Sequence, residues 1–149
     1  MNNYIKLPFF IIVCFFFFIS STDSSGSLTI QIENINKSKG VIWIGIYDSA
    51  DDFLIKERSI LKKITINHTG TAKIMIPKLP YGEYAIALFH DINENGEMDS
   101  DFWGIPTEPF AFSGHIESKW RVPHYNEVKF YFWQRNNALK LKLKEWSIF

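Results

Sequence analysis

Between Asp91 and Asp101 the chain reads Asp-Ile-Asn-Glu-Asn-Gly-Glu-Met-Asp-Ser-Asp, with an oxygen-bearing side chain at every second position around one glycine. Oxygen ligands at that interval let a tight loop enclose a hard cation such as calcium. Counting Asp91 as position 1, Asn93 and Asn95 stand at 3 and 5, and Gly96 at 6 permits the sharp turn. Glu97 at 7 offers its backbone carbonyl, and Asp99 at 9 a direct or water-mediated contact. Position 12 is Phe102, so the bidentate glutamate of an EF-hand is missing and Asp101 is the only substitute. The expected metal set is therefore Asp91, Asn93, Asn95, Glu97, Asp99 and Asp101. The expected cofactor is Ca²⁺, held weakly at roughly 10⁻⁴–10⁻³ M. The competing reading is a polar hairpin in which Asn and Asp form Asx turns and Gly96 takes the left-handed position.

Other chemistry is sparse. His68, His90, His115 and His124 show neither the i, i+4 nor the i, i+2 spacing of a zinc site. Ser113 lies between Phe112 and Gly114, outside any G-x-S-x-G elbow, and reads as a loop serine. No pairing of nucleophile with base is visible, so the sequence predicts a non-catalytic protein. Trp103, Phe110, Phe112 and Trp120 gather in one stretch. They are the expected ligand surface, a platform for a glycan or an envelope protein, unless they only pack their loop onto the core.

The loop and the aromatic stretch must be positioned by a scaffold, and the chain allows one domain. Lys6 is the only charge before Asp23, and residues 7–19 form an apolar run of signal-peptide length, too short for a comfortable membrane span. Residues 1–22 are expected to be a signal peptide, with an uncleaved N-terminal anchor as the alternative, 23–27 a linker, 28–146 the domain and 147–149 a tail. That implies a secreted or periplasmic protein whose mature chain does not cross the membrane. Cys14, the single cysteine, lies inside the apolar run. A lipoprotein reading fails because Val13 precedes it and Phe15 to Ile19 would remain apolar after cleavage. The mature chain then has no thiol for disulfides, metal or catalysis. The whole chain has 16 Lys+Arg against 16 Asp+Glu, so losing Lys6 leaves one negative charge in excess. That balance gives no electrostatic footprint for nucleic acid.

The scaffold reads as strands. Leu28, Ile30 and Ile32 alternate with polar neighbours, Val41 to Tyr47 suits a central strand, and Asp48 to Leu54 resembles a turn capped by Ser49. Residues 61–67 and 71–77 flank Asn67-His68-Thr69-Gly70 as a predicted hairpin. Tyr84, Ile86, Leu88 and His90 share one face of a strand that leads into the acidic loop. Phe102 to His124 is expected to be irregular, with Pro106, Pro109 and Pro123 in it, and strands at 127–133 and 138–144 close the domain. About seven strands with one helical turn indicate an all-β fold, a single antiparallel β-sandwich with one long irregular loop. A membrane barrel is disfavoured, because most of these strands fall short of the roughly 9–11 residues needed to span a bilayer.

Several pieces in order also resemble a known family. These are Gly40-Val41-Ile42, Ile46-Tyr47-Asp48-Ser49, Phe53-Leu54, Leu79-Pro80-Tyr81-Gly82-Glu83-Tyr84-Ala85, Phe89 to Gly96, Asp99, Gly104-Ile105-Pro106-Thr107-Glu108 and Phe112-Ser113. Together, over Leu28 to about Leu143, they look like the bacterial secreted family called domain of unknown function 2141. The resemblance implies a secreted or envelope-associated sandwich of prealbumin or immunoglobulin type and no established activity. The chain departs from the family pattern at Pro109, Ala111 and Gly114-His115-Ile116. The prealbumin-like fold also hosts a hydrolase of purine breakdown, but the Tyr-Arg-Gly-Ser ending of that enzyme is absent here.

Overall fold

The computed structural model describes residues 24–114 and 121–146. The expected signal peptide, the tail, His115 and Trp120 lie outside the described residues.

Strand β1 (Ser25–Ile35) runs between β4 (Gly70–Pro80) and β8 (Asn136–Lys142) in a three-stranded sheet. A second sheet has the order β3 (Ile60–Thr65), β2 (Val41–Tyr47), β5 (Gly82–Asp91) and β6 (Phe110–Phe112), and β7 (Phe130–Phe132) pairs with the start of β5. Among the described residues, helix is confined to a 3₁₀ turn at Lys56–Arg58 and to α1 (Tyr125–Val128). The fold is an all-β two-sheet sandwich, as the alternation predicted.

The core lies between the sheets. Leu28, Ile30 and Ile32 of β1 meet Ile42, Ile44 and Ile46 of β2 and Ile86 and Leu88 of β5, all essentially free of solvent. Burying each such side chain contributes about 1.5–3 kcal/mol. The period of two from Gly26 to Ile32 of β1 and from Ile86 to His90 of β5 sends every second residue inward and leaves the alternate set for the outer face. Because the interior is packed and the sheets stay open, a barrel is excluded on packing. Strand length alone would not exclude it, since β1 and β4 reach 11 residues each.

Five expectations need correction. The sandwich is not wholly antiparallel: β1 and β8 pair in parallel from Ser27 with Asn136 to Glu33 with Lys142. The run expected as linker enters β1, where Gly26 passes so close to Gln134 and Arg135 that a Cβ would meet their carbonyls at 2.7 and 2.8 Å. Its small residues serve close packing there. Strands β3 and β4 do not form a hairpin, since Ile66 is buried and donates to the Gly40 carbonyl, turning the chain from one sheet to the other. The expected strand at 127–133 opens with α1, because the Glu127 carboxylate accepts from the His124 amide at 2.7 Å and closes a turn. Finally, the long loop contains β6, which is held to Ala87–Phe89 of β5.

Candidate functional site

The acidic run leaves β5 at Asp91, which is 1 % exposed. Its carboxylate accepts from the amides of Asn95 at 3.2 Å and Gly96 at 2.8 Å, and from the Trp43 indole at 3.0 Å. Burial pushes this carboxyl up, yet the amides of Gly96, Glu94 and Asn95 and the Trp43 N–H outweigh it and hold it below the usual carboxylate range. Asn93 Oδ1 accepts from the Asn95 amide and Asn95 Oδ1 from the Glu97 amide, two Asx turns in succession. The amide nitrogens of Asn93 and Asn95 donate to the two carboxylate oxygens of Asp99, at 2.6 and 2.9 Å.

The structure thus brings Asp91, Asn93, Asn95 and Asp99 together, with Glu97 contributing its amide. Asp101 is not part of this set. Its carboxylate accepts from the amides of Trp103 and Ile105, each at 2.9 Å, because the chain folds into a second small hairpin there. Asp101 N to Ile105 O and Thr107 N to Asp99 O form the ladder of that hairpin, with Phe102, Trp103 and Gly104 at its tip. Among the described residues, no three His, Cys, Asp or Glu side chains converge as a metal set.

Sequence reasoning missed Glu108. It is buried, and its two oxygens accept from the Ile92 amide at 2.8 Å and the Asp99 amide at 3.3 Å, strapping the base of the acidic loop. Spacing could not find it, since it stands far along the chain from Asp91. Only the flanking Pro106 and Pro109, which stiffen the backbone, hint that the segment is held.

The small hairpin forms one wall of an open cleft of about 630 Å³ on the outer face of the five-stranded sheet. In register across the floor run Trp43, Phe89 and Phe110, beside a row of Gly45, Ala87 and Phe112. The ring of Tyr47 folds back over Gly45, where any Cβ would meet it at 2.6 Å. Burial raises the Tyr47 phenol above its ordinary value, against a hydrogen bond with Ser59. Phe53, packed edge-on against Tyr47 and Tyr125, covers the rest of this face with α1. The open part is walled by Trp103, Ile105, Pro106, Val122 and Trp146.

Three of the four aromatic residues singled out from the sequence therefore line one surface. Phe110 and Phe112 sit on β6 in edge contact with each other, and Trp103, 81 % exposed, overhangs from the hairpin tip. Neither Trp43 nor Lys56 stands in a motif that marks it as a site residue. The Trp43 indole N–H joins the cleft floor to Asp91, and Lys56 lies 4.7 Å over the Trp43 ring while donating to the Gly96 carbonyl at 2.7 Å.

Ser113 is a clamp. Its hydroxyl donates to the Val128 carbonyl and accepts from the Ile86 amide, fixing α1 against β5. His68 is bonded within its own turn, and His90 is fully buried with Nε2 on the Lys39 carbonyl.

A family model described as an uncharacterized protein conserved in bacteria, domain of unknown function 2141, matches residues 30–140. The chain belongs to this family. The match spans both sheets, the acidic loop and β6, so the cleft floor is built from family sequence. No curated protein and no solved structure matches the chain.

Proposed function

We propose that this family member is a non-catalytic binding domain of the bacterial envelope, periplasmic or secreted, whose ligand lies in the cleft on the outer sheet face. The observation that carries the reading is the cleft itself. An aromatic row on three adjacent strands, with Trp43 and Phe89 half-buried and Phe110 buried, floors the cleft beside Gly45 and Ala87, where a sandwich of this size ordinarily presents polar side chains. Among the described residues the lining is almost wholly apolar, with Lys56 and Arg121 its charged side chains, which supports the binding of an apolar ligand. A protein or glycan partner remains the alternative occupant. The concave, apolar lining favours a small ligand.

Titration with the neutral apolar fluorophore N-phenyl-1-naphthylamine tests the site. Saturable one-to-one binding is expected, weakened at least tenfold in an Ala87→Trp variant that fills the trough and melts like wild type. No saturable binding to the native protein would end this reading.

A second reading concerns the acidic loop, as a weak calcium site that orders the cleft wall. It is favoured by the succession of amides from Asn95, Gly96 and Glu97 onto the oxygens of Asp91, Asn93 and Asn95, which wraps the backbone around one centre faced by Asp99. A cation at that centre would compete with the Asn93 and Asn95 amide groups for Asp99, which keeps the affinity at the millimolar end. Millimolar Ca²⁺ is expected to raise the melting temperature of wild type and not of an Asp91→Ala/Asp99→Ala variant. Equal shifts in the two would remove the metal.

A further inference from the structure

Resting on the cleft as the ligand site, we propose that its ligand is an anionic amphiphile, an acyl chain of medium length ending in a single carboxylate or comparable acid. The chain would lie in the trough and the acidic end at Trp43.

Charge distribution argues for the sign of the headgroup. Among the described residues, Lys56 and Arg121 are the only charged residues of the lining, and both are cationic. Arg121 is already engaged by both oxygens of Glu127, at 2.6 and 2.7 Å, so its charge is largely balanced. Lys56 makes no ion pair among the described residues; it holds a backbone carbonyl and the Trp43 face. Lys63, opposite Trp43 on β3, brings a second ammonium to 5.3 Å from the same ring, also without an ion pair among the described residues. Two cations thus converge on one end of the aromatic row. Asp91 holds the N–H edge of that indole and the amides of Asn95 and Gly96, so its carboxylate is engaged within the protein.

The lining argues for the body of the ligand. Leu54, Leu61, Met98, Ile105, Pro106 and Val122 offer methyl and methylene surface, and the Tyr47 hydroxyl is already in contact with Ser59. A sugar ring placed there would leave its hydroxyls without partners, at a cost for each one desolvated. An alkyl chain loses nothing. Each methylene removed from water adds to the hydrophobic driving force, so medium-chain ligands reach useful affinity without further polar contacts.

Calorimetric titration of the full domain with decanoate, with decyltrimethylammonium and with a chitin hexasaccharide tests this. Decanoate is expected to bind at least tenfold more tightly than the cationic amphiphile of equal chain length, and the hexasaccharide not measurably. In a Lys56→Met/Lys63→Met variant the preference should fall to within about twofold while the neutral naphthylamine still binds. Equal binding of both amphiphiles by wild type overturns the inference and leaves the cleft reading intact, as would binding of the hexasaccharide instead. Should the double variant fold poorly, Lys56→Glu alone is expected to reverse the preference. Retention of the preference in either variant would equally overturn it.

Discussion

Asp91 is the residue on which the acidic loop turns. Its carboxylate takes two backbone amides from the loop and an indole N–H from β2, while Glu108 takes the amides of Ile92 and Asp99 on the other side. Amides bonded to a buried carboxylate stabilise the ionised form, so the folded-state pKa of Asp91 lies below its unfolded value. The sign follows from linkage. A depressed carboxylate contributes its full stability above the unfolded pKa, near 3.9, and loses it as pH falls through the folded value. Asp91→Asn keeps the shape but supplies one acceptor oxygen where the carboxylate supplies two, which is expected to cost about 1–3 kcal/mol at neutral pH. The gap between wild type and variant should then narrow below about pH 4, as wild type loses the ionised acceptor. Asp52, Glu83 and Glu127 also have lowered pKa values and add acid sensitivity, but they are common to both proteins and cancel in the difference. Urea midpoints at pH 7 and pH 3 check this. A gap of equal size at both would mean that the charge of Asp91 contributes nothing.

Elements were legible where one face alone decides the pattern. Leu28, Ile30 and Ile32, and Tyr84, Ile86, Leu88 and His90, alternate because one side of each strand meets the core, and both strands stand where the period placed them. The Ser49 cap was legible too: its hydroxyl accepts from the Asp52 amide at 3.2 Å and bonds the Asp52 carboxylate, although the 3₁₀ turn itself follows at Lys56–Arg58. What local pattern does not encode is which sheet a strand joins. Asn67-His68-Thr69-Gly70 has hairpin chemistry, yet the neighbouring Ile66 is drawn into the core and the chain changes sheets. The parallel pairing of β1 with β8 is likewise a contact between the two ends of the domain, invisible to any window of sequence. The cleft was half visible. Phe110 and Phe112 could be named as a cluster, but Trp43, Phe89, Gly45 and Ala87 form its floor only because β2 and β5 pair in one register. Reading an outer face as a site requires that register.

At the scale of the molecule, β8 closes the sandwich. Leu141 and Leu143 are buried in the same core as Ile30 and Ile32, and the seven-residue parallel ladder covers one edge of β1 from Ser27 to Glu33. Beyond the strand, Lys144 exchanges both backbone hydrogen bonds with Phe110, tying the three-stranded sheet to β6 at 2.9 Å each, and Trp146 packs on Phe110 at the cleft wall. A chain ending at Arg135 would lose two buried leucines, worth about 1.5–3 kcal/mol each. It would also expose Leu28, Ile30 and Ile32 along an unpaired edge. Domains of this size have about 5–15 kcal/mol of stability in total, so these losses together remove most of it. Truncation at Arg135 is expected to abolish the cooperative urea transition seen by far-ultraviolet circular dichroism, together with binding of the naphthylamine probe. If the shortened chain instead unfolds cooperatively near the midpoint of the full chain, β8 is an accessory edge and the core closes without it. Loss of probe binding with folding retained would assign β8 and Trp146 to the cleft alone. The shared bond between Phe110 and Lys144 predicts the first outcome, because the same residue holds the core edge and the floor of the site.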